Sequence, residues 1–267
     1  MVRQPAVSGQ FYASDPIRLR DQLEKFAKVN DTQIKALGAI VPHAGYVYSG
    51  AVAGAVYARL KIPKTVVILG PNHHGVGSRA ALFPPGEWVT PLGNTGINQQ
   101  LSALLLKHST LVEEDSTAHQ YEHSIEVQVP FLQFLRPDVT IVPICLGFTD
   151  YSLCKSMGLS LAKAIGEYDK EVLIIASSDM SHYQPAEVAR HEDNLAIHEV
   201  LNMNPEGMYS IVKGRGISMC GVIPATIMLV AAIEMGATKS ELIRYATSGE
   251  VSGDFNQVVG YAGVTVN

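Results

Sequence analysis

Six runs of this chain are almost entirely apolar and rich in valine and isoleucine, and helix-period stretches separate them. The runs fall near residues 37–42, 65–70, 139–146, 171–177, 241–247 and 258–266. A strand wetted on one face alternates apolar with polar residues, so continuous apolar runs of this length imply strands covered on both faces. Helical periodicity lies near 16–28, 48–60, 97–108, 123–135, 151–167, 187–202 and 222–235. Strand alternating with helix predicts an α/β fold whose central mixed, largely parallel sheet is flanked by helices. No linker-like tract, charge block or repeat divides the chain, so one domain over residues 1–267 is expected. The irregular stretch 75–96 carries Pro84-Pro85-Gly86 and Pro91-Leu92-Gly93, which predicts a hairpin or lid-like insertion near His73.

Composition narrows the function classes. With 47% hydrophobic and 17% charged residues, the chain can build a sizeable core. Its formal net charge of -5 leaves no basic surplus to neutralise phosphates, so nucleic acid is not an expected partner. Val222–Ile233 is too short an apolar run to cross a bilayer, which takes about 20 residues. The opening MVRQPAVSGQFYASDP has no apolar core of the kind a secretory signal needs. The three cysteines, Cys145, Cys154 and Cys220, include no CxxC pair and do not read as a disulfide framework. A reduced, cytoplasmic protein without membrane segments is expected.

Three of the apolar runs deliver histidines. Run 37–42 ends on His43; run 65–70 leads through Pro71-Asn72 into His73-His74; run 171–177 leads through Ser178 into Asp179 and His182. Ligands of open α/β folds bind beyond the carboxyl ends of the strands, so the most metal-avid side chain is sent three times to the place where such folds do chemistry. By themselves these strand ends suggest a three-histidine zinc site. Neighbours in extended chain point opposite ways, so one of His73 and His74 is expected to enter the site.

Other residues add candidates. Cys220 precedes an apolar helix-like stretch, where backbone donors can lower a thiol's pKa and make it a metal ligand or nucleophile. Cys145 and Cys154 fit buried apolar positions. Asp179 and His182 are spaced to face one point, with Asp179 orienting a histidine and His182 acting as acid or base, although Ser177-Ser178-Asp179 also reads as a helix cap. Glu122 and Glu126 flank His123, so a carboxylate can raise its pKa or orient it. His119 and His123 form an HxxxH pair without the glutamate of the zinc-protease motif. His191 and His198 read as surface residues, and His108 as a helix-end cap.

The segments Pro42-His43-Ala44-Gly45-Tyr46, Gly70-Pro71-Asn72-His73-His74, Glu122-His123-Ser124-Ile125-Glu126, Ser177-Ser178-Asp179-Met180-Ser181-His182 and Cys220-Gly221 resemble the signature blocks of the Memo family, named for the human mediator of ErbB2-driven cell motility. Ser8-Gly9-Gln10-Phe11-Tyr12 and Tyr261-Ala262-Gly263 extend the resemblance to both ends, with Ala13 where the family has proline. The resemblance implies a fold like that of the class III extradiol dioxygenases, whose non-haem iron is held by two histidines and a carboxylate. It further implies metal ligation by His43, His73 and Cys220, with His182, Asp179 and His123 as catalytic residues around them. Fe(II) is the expected cofactor, with Cu(I) or zinc as alternatives, since a thiolate suits softer metals. The implied function is a redox-active, dioxygenase-like metal site acting on a small-molecule or peptide ligand. A non-catalytic ligand- or metal-binding protein with a vestigial pocket is the alternative, and a metal-free hydrolase using Cys220 and His182 a third reading. A radical SAM protein and a homologue of the protein associated with the AMMECR deletion region are the partners the resemblance suggests.

Overall fold

The structure is a computed structural model that describes residues 1–29 and 33–267. Along the chain the first elements are β1 (Val2–Arg3), α1 (Pro16–Phe26), β2 (Gly38–Val41), α2 (Tyr46–Arg59) and β3 (Thr65–Pro71). Then follow β4 (Ala80–Leu82), β5 (Glu87–Thr90), β6 (Gly93–Gly96), α3 (Gln99–His108), β7 (Glu113–Glu114), α4 (Val129–Leu135) and β8 (Thr140–Leu146). The rest comprises α5 (Tyr151–Tyr168), β9 (Val172–Ser177), β10 (His182–Gln184), α6 (Ala186–Leu201), α7 (Pro205–Arg215), α8 (Val222–Glu234), β11 (Ser240–Thr247), α9 (Gly249–Ser252) and β12 (Val258–Val266).

The main sheet runs β10-β12-β2-β9-β3-β8-β4-β7, with β11 also paired to β12. Its centre, β2-β9-β3-β8, is parallel, and β12 and β4 join it antiparallel. The sheet is therefore mixed, and helices cover both faces. Alternation within the apolar runs divides the core: Val67, Leu69, Ile174, Ala176, Val142 and Ile144 face the side packed by α3, α5 and α8. Val66, Ile68, Leu173, Ile175 and Ile141 face the side of α1, α2 and α4. Among the described residues no helix is long and apolar enough to cross a membrane.

Two sequence expectations need correction. Residues 123–135 are not one helix: single 3-10 turns at Thr117–His119 and Glu126–Gln128 precede α4, which starts at Val129 with Pro130 in its first turn. Proline is tolerated there because first-turn N–H groups lack helical partners anyway, so it sets the start of the helix. His119 and His123 therefore do not share a helix face. Helix α7 was not expected, although Asn204 caps it, Pro205 opens it and left-handed Gly216 closes it. Within 75–96, β5 and β6 form a hairpin that joins β1 in a small second sheet, while β4 belongs to the main sheet.

Candidate metal centre

β9 lies between β2 and β3, so the carboxyl ends of three neighbouring parallel strands open side by side. β2 runs through Pro42 into His43, β9 ends at Ser177 before Asp179, and β3 ends at Pro71, two residues before His73. The loop 122–125 crosses this end of the sheet and closes on Gly70, where a Cβ would lie 2.5 Å from Ser124 Oγ. Glycine permits the approach that brings His123 to the strand ends.

His43, His73 and His123 converge: one ligating atom from each lies within 4.8 Å of those of the other two. The rings of His73 and His123 stack at 4.7 Å, and the His43 ring stands nearly edge-on to both, at 5.3 and 5.5 Å. Such a group could hold a metal ion. His74, next in the chain, turns outward and meets the Tyr121 carbonyl through Nε2.

Hydrogen bonds orient two of these rings. Glu122 Oε1 accepts from His73 Nδ1 at 2.9 Å and from Ser124 N at 2.8 Å, while Oε2 accepts from His73 N at 2.7 Å. With the Nδ1 proton given to a carboxylate, His73 Nε2 presents a lone pair, as in many metal-ligating histidines. His43 follows the same logic with a hydroxyl. Ser177 Oγ donates its proton to Ser124 O at 2.6 Å and accepts from Gln128 Nε2 at 2.8 Å. His43 Nδ1, at 2.9 Å from that oxygen, must therefore be the donor, which leaves Nε2 as the acceptor. Cys220 Sγ lies 3.2 Å from that Nε2. A thiolate and an imidazole sharing one tetrahedral metal stand about 3.5 Å apart, so the pair is compatible with joint ligation.

Protonation favours ligation at two of the three rings. Burial, and then the neighbouring His123 and His73, hold His43 well below the usual histidine range. Burial lowers His123 to about 4. Glu122, with Oε1 3.5 Å from its Nδ1, acts to raise it as the sequence suggested, but burial outweighs that charge. Burial would lower His73 as well, but the hydrogen bond and charge of Glu122 reverse the direction, and it titrates above the usual value. Burial would raise Glu122, but its bonds to His73 and the backbone donors hold it well below the usual carboxylate range.

The remaining candidates sit around the trio. Cys220 precedes Gly221 and the start of α8, yet its thiol is pushed up rather than down, first by burial and then by the charge of Asp179. Its Sγ touches His43 rather than completing the histidine trio. Asp179 does not orient His182; its Oδ1 accepts from His43 N at 2.8 Å and Ala44 N at 3.3 Å, and burial raises it to about 6. The backbone of Ser218 holds His182 instead, its carbonyl accepting from Nδ1 at 3.0 Å. The third strand-end histidine is thus displaced from the cluster, and His123 occupies the position that the strand ends alone suggested for it. His119 is fully buried, donates to Ala81 O through Nε2 and lies outside the trio. His191 and His198 are exposed, and His108 pairs with Glu167. Cys145 and Cys154 are buried in β8 and α5.

The supports are residues that the sequence marked for another role or for none. Ser177 and Gln128 fix the His43 tautomer. Glu126 ties the first residues of the chain to the 122–125 loop: it accepts from Arg3 Nη1 and Ala6 N at 2.8 Å, Val7 N at 3.1 Å and Tyr12 OH at 2.6 Å. Arg3 Nη2 donates to Glu122 O at 2.6 Å, and Phe11 packs on His123 at 4.8 Å.

A family model described as Memo-like protein matches residues 3–265. A MEMO1 family protein of Methanosarcina barkeri is 45% identical, covering 99% of this chain and 100% of the relative. One of Methanopyrus kandleri is 41% identical, covering 99% and 98%. The crystal structure of an uncharacterised protein from Escherichia coli K12 shares the fold with a TM-score of 0.52, covering 86% of this chain and 99% of that one at 12% identity.

Proposed function

This chain belongs to the Memo family, and from that premise together with the converging imidazoles we propose that it is a metal-binding protein with a redox-active centre holding iron(II) or copper. The observation that carries the reading is the histidine trio with ligating atoms within 4.8 Å. His43, His73 and His123 supply nitrogen donors, and Cys220 adds a soft sulfur donor on the His43 side. That mixed set suits iron and copper as well as zinc. A redox metal bound here supplies electron exchange and Lewis acidity.

The chain's own groups divide the remaining work. Glu122 and Ser177 hold the His73 and His43 rings with Nε2 toward the site. Asp179, raised by burial, accepts from the backbone N–H groups of His43 and Ala44 and holds that turn at the site. His182, with Nδ1 committed to the Ser218 carbonyl, keeps Nε2 as a base for a ligand proton. The His73 side chain is 31% exposed and marks the open side from which a small organic ligand enters.

Metal analysis of protein purified anaerobically tests the reading. Stoichiometric iron or copper is expected, lost in His43→Ala, His73→Ala and His123→Ala and weakened in Cys220→Ser. Undiminished metal in a His43→Ala/His73→Ala double variant refutes the site. Oxygen uptake with catechol-type compounds tests the redox claim, and a fully loaded protein without turnover reduces the function to metal or ligand binding.

A further inference from the structure

Away from the metal centre, the end of α1, the helix α2 and the strand β11 enclose a cavity of about 450 Å³. Ligand pockets commonly span about 300–1000 Å³. Four of its nine lining residues are cations, Lys25, Lys28, Arg59 and Arg244, and none of the nine is an acid. The chain carries 25 acidic residues against 20 Lys and Arg, so this segregation runs against its composition.

Two local departures from regular structure bring these groups together. On β11, Leu242 pairs with Val264 and Arg244 with Gly263, so Ile243 is an extra residue and the strand bulges. Adjacent residues of a regular strand point to opposite faces. Here Ile243 and Arg244 both line the cavity, while Leu242 and Tyr245 both pack on the side of α3, α5 and α8. Bulges re-aim side chains in this way. The approach of α1 depends on glycine at position 54 of α2, where a Cβ would lie 2.4 Å from the Phe26 carbonyl carbon. Phe26 therefore joins Ala51, Ala55, Ala58 and Ile243 in an apolar floor, and Lys25 and Lys28 stand exposed beside it. The charges do not cancel locally. Arg59 Nη2 reaches Glu241 Oε2 at 3.9 Å, and Lys25 lies in the last turn of α1, where a cation answers the negative end of the helix. Lys28 lies beyond that helix and Arg244 on a strand, and neither has an ion-pair or hydrogen-bond partner among the described residues. Two cations are thus in surplus over the floor.

We propose that this cavity binds a small organic phosphate monoester, with Lys28 and Arg244 on the phosphate, Lys25 and Arg59 in support, and the carbon body of the ligand on the apolar floor. A monoester carries about −1.5 to −2 charges at pH 7 and matches the surplus of two, whereas a carboxylate supplies one. The guanidinium of Arg244 can grip two phosphate oxygens at once. The short side chains of Ala51, Ala55 and Ala58 leave the floor open to the ligand and give it apolar surface to cover. None of the lining residues belongs to the histidine site, so the proposal stands apart from the metal reading.

Calorimetric titration with hexyl phosphate at low salt tests the proposal, in metal-loaded and metal-free protein alike. Saturable binding at one site per chain is expected in both, tighter than that of inorganic phosphate, which lacks the carbon body, and of hexanoate, which lacks the second charge. Affinity is expected to fall several-fold between about 50 and 300 mM NaCl as screening shortens the reach of the exposed cations. Lys28→Gln/Arg244→Gln removes the two surplus charges and is expected to weaken binding roughly tenfold or more with the melting temperature unchanged. Ala55→Glu keeps a good helix former in α2 but fills the floor and adds a negative charge there, and it is expected to abolish binding. No saturable binding at millimolar hexyl phosphate, wild-type affinity in either variant, hexanoate bound as tightly, or binding that requires bound metal overturns the proposal.

Discussion

Replacing Glu122 by glutamine changes one atom and sets two properties of the site against each other. The carboxylate accepts three N–H donors, two from His73 and one from Ser124, and is 1% exposed. A glutamine can keep its oxygen at the Oε1 position and satisfy Ser124 N and His73 Nδ1, but its NH2 then faces the N–H of His73. One charge-assisted bond is lost and a buried donor is left unpaired, for a cost of about 2 to 3 kcal/mol in stability. The His73 ring keeps an acceptor for Nδ1 but loses its charge, and changes to such a support typically weaken metal binding by about 10- to 100-fold. The pH dependence discriminates further. In the wild type His73 titrates above the usual histidine value because Glu122 outweighs burial, so protons compete with metal from above pH 6.5 downward. Affinity then falls by about tenfold, or ~1.4 kcal/mol, for each further pH unit. In the variant burial is opposed only by the lesser effect of Asp179, so His73 titrates lower than in the wild type and competition starts lower. Chelator-competition titrations from pH 8 to 5 are therefore expected to give two curves well separated at pH 8 that draw together on acidification. Parallel curves, or equal affinity at pH 8, refute the role given to Glu122.

Burial holds His119 at about 4 against an ordinary value of 6.5, so unfolding takes up a proton between those limits. Its contribution to stability is complete above pH 6.5 and is lost as pH falls, by about 2 kcal/mol at pH 5; His119→Gln is expected to flatten that slope in urea unfolding at pH 7 and 5, and an unchanged slope counts against it. Arg3→Met leaves Glu126 buried without its cation, where the pair is 3% and 1% exposed. A loss of about 3 kcal/mol is expected, at the low end for broken buried pairs because three other donors remain, and a melting temperature within a degree of wild type contradicts this. Gly221→Ala places a Cβ 2.3 Å from Ser178 Cβ and 2.4 Å from Ser177 O, neither able to yield cheaply. It should cost about 1 to 3 kcal/mol and displace Cys220 from His43, measurable as faster labelling of Cys220 by a thiol reagent; wild-type labelling and stability disprove it.

The central strands were legible because burial on both faces leaves an unbroken apolar run, and β2, β3, β8 and β9 carry little else. Their order was not legible. Only tertiary packing decides that β9, late in the chain, enters between β2 and β3, and that insertion is what brings His43 and His73 within 5.3 Å. Strands of two or three residues such as β7 and β10 are defined by their partners and have no periodicity to read. Helix α7 had its cap, its proline and its closing glycine in the sequence; its mixed polar surface, with Met208 and Val212 as its buried residues, hid the helical period.

The site shows why strand ends identify some members of the histidine cluster and miss others. His43 and His73 follow buried strands directly, so the strand that can be read in sequence also fixes their position. His123 stands in an irregular crossing whose path is set by contacts far away in sequence: Gly70 admits Ser124, Ser177 donates to the Ser124 carbonyl, and Glu126 is anchored by Arg3, Ala6, Val7 and Tyr12. None of these contacts leaves a local pattern. His182 misled for the converse reason: it follows β9 closely, but Ser218 and the β12 pairing draw it aside. A histidine's distance from a strand end is thus a weaker guide than the partner of its Nδ1. Where that partner is Glu122 or Ser177, itself saturated by other bonds, the ring is fixed with Nε2 toward the common point. Ser177→Ala follows as a test of that rule: it frees the His43 ring, and metal affinity should drop about 10-fold or more while His73 and its pH dependence stay unchanged. Full affinity in that variant would show that burial alone, and not the hydroxyl, sets the His43 ring.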